Sequence, residues 1–246
     1  MNILVCISKT PDTTSRISFR AGDTEYNPDG ITFIMNPYDE WYALVRAIEL
    51  VEQNGGNVTA INVGPAANDI IIRKALAIGA NDAVRIDIDP ADAYVTAANI
   101  AGHARSKNYD LIMLGKETID YNGSETGAMI AEMLDLPFVS YASALQVSGN
   151  MSTVTRDIEG GVEVCQVEGP FVLSAAKGMA EQRIPNMKGI MMAKTKPLAV
   201  EVASVQNPRV KANKYVLPPA KSGVKLISPD NMDELVRLLH EEAKVI

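Results

Sequence analysis

Cysteine and histidine are scarce, at two residues each in a chain of 246. Cys6 and Cys165 sit in separate apolar runs, so there is no disulfide scaffold and no Cys/His metal cluster to build. A reducing compartment is the natural setting. Basic residues are outnumbered, 23 against 30 acidic, and the formal net charge of −7 argues against a nucleic-acid binder. No run approaches the roughly 18 apolar residues of a membrane helix, so no membrane insertion is expected. The opening run Met1 to Ile7 is too short for the apolar part of a signal peptide and lacks a basic leader. The expected location is therefore the cytoplasm, or an equivalent soluble space reached after loss of a leader. What remains is ordinary globular composition, 47% hydrophobic and 22% charged, enough to bury a substantial core.

Short apolar runs alternate with segments of helical period through the first half. Strands are predicted at Asn2–Ile7, Asn57–Val63, Ala83–Ile88 and Leu111–Leu114. Helices are predicted at Asp39–Glu52, Ala67–Ile78, Ala91–Ser106 and Ser124–Leu134, the last capped by its Gly-Ser pair. Continuous apolar strands between helices imply an α/β fold, a doubly wound parallel sheet covered on both faces. After Pro137 the pattern alternates, with turn signals at Gly149-Asn150 and Gly160-Gly161. Antiparallel strands at the sheet edge are expected there, followed by a buried strand at Phe171–Ala175. Ala180–Lys196 reads as a polar loop with a short helix near Gly189–Ala193. Pro197–Pro229 reads as extended, and Asp230–Lys244 as an amphipathic helix with Met232, Leu235, Val236, Leu238 and Leu239 inward. The expected domains are 1–196, α/β and nucleotide-binding, and 197–246, an arm suited to wrapping a partner; the plain alternative is a mobile tail.

Ligands of such sheets bind beyond the carboxyl ends of the strands, where strand order switches. Four loops leave those ends: Ser8–Thr13, Asn36–Asp39, Gly64-Pro65 and Gly115–Thr126. The last, Gly115-Lys116-Glu117-Thr118-Ile119-Asp120-Tyr121-Asn122-Gly123-Ser124-Glu125-Thr126, leads into a helix whose free N–H groups suit a phosphate. A plain turn with an N-cap is the competing reading. Lys116 could supply charge, and Asp120 could bind a ribose or cap a turn. No dinucleotide fingerprint and no Walker lysine motif occurs. Catalytic equipment is thin. His103 and His240 lie far apart on helices, and Asp157 with Glu159 reads as a solvated hairpin edge. Met187, Met191 and Met192 stand among basic residues, which suits an adaptable docking surface; a core-facing cluster on one helical turn is the competing reading.

Five stretches carry a resemblance: Met35-Asn36-Pro37-Tyr38; Gly64-Pro65-Ala66 with Arg73–Ala80; Leu114 to Gly127; Arg156-Asp157-Ile158-Glu159-Gly160-Gly161; and Arg183 to Lys194. In this order they resemble the beta subunit of electron-transfer flavoproteins, nearly end to end. The resemblance implies an adenine-nucleotide alpha-hydrolase-like fold and an electron carrier rather than an enzyme. It implies pairing with an alpha subunit that holds the redox FAD, dehydrogenase donors, and a quinone-reducing or other oxidoreductase as acceptor. It also implies a structural AMP here, held by Cys6, Asn36, Pro37, Tyr38, Asp39, Val63 and Gly115 through Thr126. Tyr38, and with it Thr13 where many relatives carry an aromatic residue, would face the flavin. Arg183, Met187, Ile190 and Met191 would dock the donors, with Met187 as anchor. Bifurcating members instead hold a second FAD and oxidise NADH, and the Thr126-Gly127 pair looks more like the AMP-holding kind.

Two other classes compete. A nucleotide hydrolase of related fold would need a glycine-serine phosphate loop after the first strand, where Pro11 removes a backbone donor. A stress-type nucleotide-binding module would leave the Met-rich loop and the arm unexplained.

Overall fold

The computed structural model describes residues 1–221 and 223–246. In chain order its elements open with β1 (Asn2–Cys6), β2 (Lys9–Pro11), β3 (Phe19–Arg20), β4 (Glu25–Tyr26), β5 (Phe33–Met35) and α1 (Asp39–Asn54). Next come β6 (Asn57–Val63), α2 (Asp69–Ile78), β7 (Asp82–Asp87), α3 (Ala93–Arg105), β8 (Leu111–Gly115) and α4 (Thr126–Leu134). The chain ends with β9 (Phe138–Ser148), β10 (Met151–Ile158), β11 (Gly161–Glu168), β12 (Phe171–Ala175), α5 (Met187–Ala193), β13 (Leu198–Val202) and α6 (Met232–Arg237).

One nine-stranded sheet, in the order β11-β10-β9-β12-β8-β1-β6-β7-β13, organises the larger unit, Met1–Ile17 with Asn27–Asn213. Seven of its strands run parallel, and β10 and β11 continue β9 as the antiparallel edge expected from the turn signals. Side chains alternate along β1: Ile3 and Val5 face a core shared with α1 and α2, while Leu4 and Cys6 face one shared with α3 and α4. Burial on both faces is why these strands read as unbroken apolar runs.

The segment after Pro197 differs from its reading as irregular extended chain. Leu198–Val202 pairs with β7 as a ninth strand, so the α/β unit continues past residue 196. Asn99 fixes its far end: its Oδ1 accepts from the Ser204 and Val205 N–H groups at 2.8 and 3.2 Å, and its Nδ2 donates to the Val205 carbonyl. His103 adds a second tie, Nδ1 to Glu201 at 3.0 Å and Nε2 to the Tyr109 hydroxyl at 3.0 Å.

The smaller unit is Ser18–Tyr26 with Lys214–Ile246. Within it Phe19 stacks on Tyr215 at 4.9 Å. The predicted closing helix begins at Met232 and changes to a wider π turn over Leu238–Ala243. Of the five apolar side chains expected inward, Met232, Leu235 and Val236 are exposed, while Leu238 and Leu239 are half-buried. An amphipathic stripe marks a face that needs cover, and the smaller unit by itself leaves this one largely uncovered.

Candidate functional site

Strand order reverses between β1 and β8, since chain order proceeds to β6 and β7 on one side and to β8 and β12 on the other. Of the four loops named from sequence, three leave this end of the sheet; Asn36–Asp39 instead follows β5, which pairs with β2 in a separate two-stranded sheet. Asn36, fully buried, joins three of the four: its N–H donates to the Ser8 carbonyl at 2.9 Å, its Nδ2 to the Glu117 carbonyl at 3.1 Å, and its Oδ1 accepts from the Ile119 N–H at 3.0 Å. Asn62 ties in the β6 end by donating to the Ile7 carbonyl at 2.8 Å. A cleft of about 260 Å3 opens here, lined by Pro37, Tyr38, Asp39, Tyr42, Lys116, Glu117, Ile119 and Lys177. Tyr38 takes a φ of 64°, a left-handed conformation rare for a bulky residue, and its side chain is 56% exposed. Strain of this kind clusters at binding sites.

Sequence reading missed Glu40. A glutamate in the first helical turn looks like a solvated charge complementing the dipole. Instead it is buried, and its carboxylate accepts from the Ser8 N–H at 2.7 Å and the Ser8 hydroxyl at 2.6 Å. Those bonds commit Ser8, so the first loop offers no Ser8 donor to a phosphate. Burial pushes the Glu40 carboxyl up to about 8, against the Ser8 hydrogen bonds and with the help of Asp120 and Asp39. Asp39 is pushed up to about 6 by burial, which Lys116 opposes and Glu117 reinforces. A carboxyl raised by folding binds more protons folded than unfolded. Its contribution is therefore complete below the ordinary value of 4.5 and is lost as pH rises through about 8. Glu40→Gln is expected to flatten the fall in urea midpoint between about pH 5 and pH 8. Parallel wild-type and variant profiles would show that Glu40 does not carry it.

The Gly115–Thr126 loop departs from its predicted cap. Ser124 has a φ of 54° and its hydroxyl donates to Glu117 at 3.3 Å, so α4 begins two residues later, at Thr126. No side chain caps it. The first helical bond there runs from the Met129 N–H to the Glu125 carbonyl, which leaves the preceding N–H groups without helical partners. Asp120 caps its own turn through the Tyr121 N–H at 3.0 Å. Lys116 pairs with Glu117 at 3.2 Å and lies 5.6 Å from the ring of Tyr141, itself held at a φ of 57°. Burial works against its charge, but Glu117, Asp39 and Tyr141 outweigh it and hold its pKa above the ordinary lysine value. Cys6 and Val63 are buried on the α3/α4 face, where burial, with Glu40 adding, pushes the Cys6 thiol up. Among the described residues no His, Cys, Asp and Glu cluster could hold a metal.

The Arg183–Lys194 segment forms a helix two residues earlier than predicted, because the Asn186 side chain accepts from the Gly189 N–H at 2.8 Å and caps it. Met187, Ile190 and Met191 are all exposed, so these methionines are not core. Arg183 is tied to α1: its guanidinium grips both Glu52 oxygens at 2.8 and 3.0 Å, and its carbonyl accepts from the Trp41 indole at 3.1 Å. The neighbouring Ile184, which sequence reading passed over, is 79% exposed against 74% for Met187.

Residues 25–206 match the family described as Electron transfer flavoprotein domain. The electron transfer flavoprotein subunit beta of Bacillus subtilis (strain 168) is 35% identical over all of both chains. That of Syntrophomonas wolfei is 35% identical over 92% of this chain and 90% of its own. The chain belongs to the electron transfer flavoprotein beta-subunit family. The acryloyl-CoA reductase electron transfer subunit gamma of Anaerotignum propionicum is 31% identical over 81% of this chain and 77% of its own. The role is electron transfer.

The family match spans the Asn36–Asp39 loop, Gly115–Thr126 and Arg183–Lys194, and leaves out Cys6. Pro37, Tyr38, Asp39, Lys116, Glu117 and Ile119 come together in one cleft, and the fold adds Tyr42 and Lys177 to it. Arg183 is tied to α1 through Glu52 and Trp41, while Met187, Ile190 and Met191 stand exposed on α5. Tyr42 could have been found in sequence by its place one turn after Tyr38, whose carbonyl accepts its N–H at 2.8 Å. Lys177 offered no such signal.

Proposed function

We propose that this chain is the nucleotide-holding and donor-docking half of a heterodimeric electron carrier, with AMP in the loop that ends at Thr126. The observation that carries this reading is the convergence of the Asn36 and Gly115–Ile119 segments at the switch in strand order, beside an α4 N-terminus that lacks a cap. The donors there suit a phosphate: backbone N–H groups at a helix start and the hydroxyl of Thr126, the Ser124 hydroxyl being given to Glu117. Asn36 acts indirectly, since its side chain holds the loop in place. Cys6 and Val63 form the floor of the same site at the ends of their strands. An alpha subunit holds most of the FAD, which supplies the redox chemistry when bound. Tyr38 borders that flavin, with Thr13 on the same side. The smaller unit and its uncovered helix belong against the alpha subunit. Met187, Ile190 and Met191 meet dehydrogenase donors, and electrons pass on to a quinone-reducing or other oxidoreductase. Among the described residues no helix is long and apolar enough to cross a membrane, and the proposed setting is the cytoplasm.

The test is to denature the purified heterodimer and quantify what it releases. One FAD with one AMP is expected. Two FAD and no AMP would replace this reading with the bifurcating one, in which the second FAD meets NADH. A chain that takes no alpha partner on co-expression would remove both.

A further inference from the structure

A seven-residue helix is too short to persist by its own hydrogen bonds. Of the side chains of α5 only Ala193 is buried, so apolar burial does little to hold it either. Two cations do that work, in opposite directions. Arg73, on α2, donates through one nitrogen to the carbonyls of Ala193 and Lys196, at 2.8 and 2.7 Å, at the C-terminal end of α5. Lys196, just past α5, donates to the carbonyls of Leu76 and Ala80, at 2.9 and 2.5 Å, at the C-terminal end of α2. Each helix thus supplies or adjoins the cation that satisfies the other's last carbonyls, where the dipole also favours positive charge. Burial lowers the Lys196 pKa, in keeping with an ammonium drawn into the interface. The backbones approach closely at the same place: a Cβ on Gly189 would lie 2.5 Å from the Ala77 carbonyl oxygen.

We propose that Arg73 and Lys196 are positioning residues for donor docking, a reciprocal lock that keeps α5 rigid so that Met187, Ile190 and Met191 meet the donor without first being ordered. This rests on the reading of α5 as the docking surface. Ordering cost is one of the main charges against association, and removing it in advance strengthens binding without any new contact. The arrangement explains how a helix with so little burial presents large apolar side chains on a fixed frame.

The test uses Arg73→Met and Arg73→Lys in the heterodimer, with a dehydrogenase that reduces the wild type as probe. Amide hydrogen exchange over Ile190–Ala193 reads the lock, and steady-state reduction reads docking. Arg73→Met is expected to speed exchange there and to raise KM for the dehydrogenase about tenfold with kcat unchanged. Nucleotide content should stay at the wild-type level. Because both bonds come from one nitrogen, an ammonium can replace it, and Arg73→Lys should recover part of both effects. Unchanged exchange in Arg73→Met would overturn the lock. Faster exchange with KM unmoved would leave the lock in place and overturn the docking reading. If Arg73→Met does not assemble, Arg73→Lys gives the same two readouts at smaller amplitude.

Discussion

Replacing Ile184 and Met187 together by alanine is expected to raise the KM for a reducing dehydrogenase about a hundredfold, with kcat at saturation unchanged. Burying such a side chain is worth roughly 1.5–3 kcal/mol, so losing two at a contact supports a change of that size. Each single variant should give roughly tenfold. Both side chains are exposed in the free chain, so neither change should touch the core. Melting temperature and nucleotide content are expected to match the wild type, which separates this outcome from misfolding. The two positions also test the anchor. Resemblance puts it at Met187, whereas Ile184 is the more exposed and sits next to the fixed Arg183. If Ile184→Ala alone reproduces the double variant, the anchor is Ile184. If no variant changes KM for any donor, docking lies elsewhere.

What sequence could and could not reveal follows from the range of the forces involved. The parallel sheet was legible because burial on both faces is written locally, as in Ile3, Leu4 and Val5. The strand at Leu198–Val202 was not, because its identity comes from pairing with Ala83–Asp87, more than a hundred residues earlier in the chain. The start of α4 was misjudged for a different reason. Ser beside Gly is a good cap in general, but here Ser124 takes a left-handed backbone and gives its hydroxyl to Glu117. Glu40 was invisible since a first-turn carboxylate is ordinarily solvated; only the return of Ser8 over it makes it buried. The helix starting at Met232 was legible as amphipathic but not as uncovered. Periodicity reports that a face must be covered and says nothing of which chain covers it.

Gly115→Val is expected to be the most damaging single change at the nucleotide site. Glycine ends β8 because α1 begins against it. A Cβ there would lie 2.8 Å from the Glu40 backbone nitrogen, 2.9 Å from its Cγ and 3.0 Å from the Asp39 Cβ. The first of these is backbone, which cannot swing aside as a side-chain tip can. The start of α1 would have to move, and Tyr38, Asp39 and the Glu40–Ser8 hydrogen bonds with it. Overpacking of this kind costs roughly 1–3 kcal/mol, occasionally more. In a chain of this size that is a fall in melting temperature of roughly 2–12 °C. Nucleotide content should drop with it, because the loop leaving Gly115 is anchored to the same corner through Asn36. Gly123→Ala is the control: a Cβ there would meet nothing nearer than the Glu125 carboxylate, at 3.4 Å. It should leave the melting temperature close to the wild type. A Gly115→Val protein that melts normally and keeps its nucleotide would mean that α1 can yield at this corner, and that the cleft at the β1–β8 switch does not depend on it.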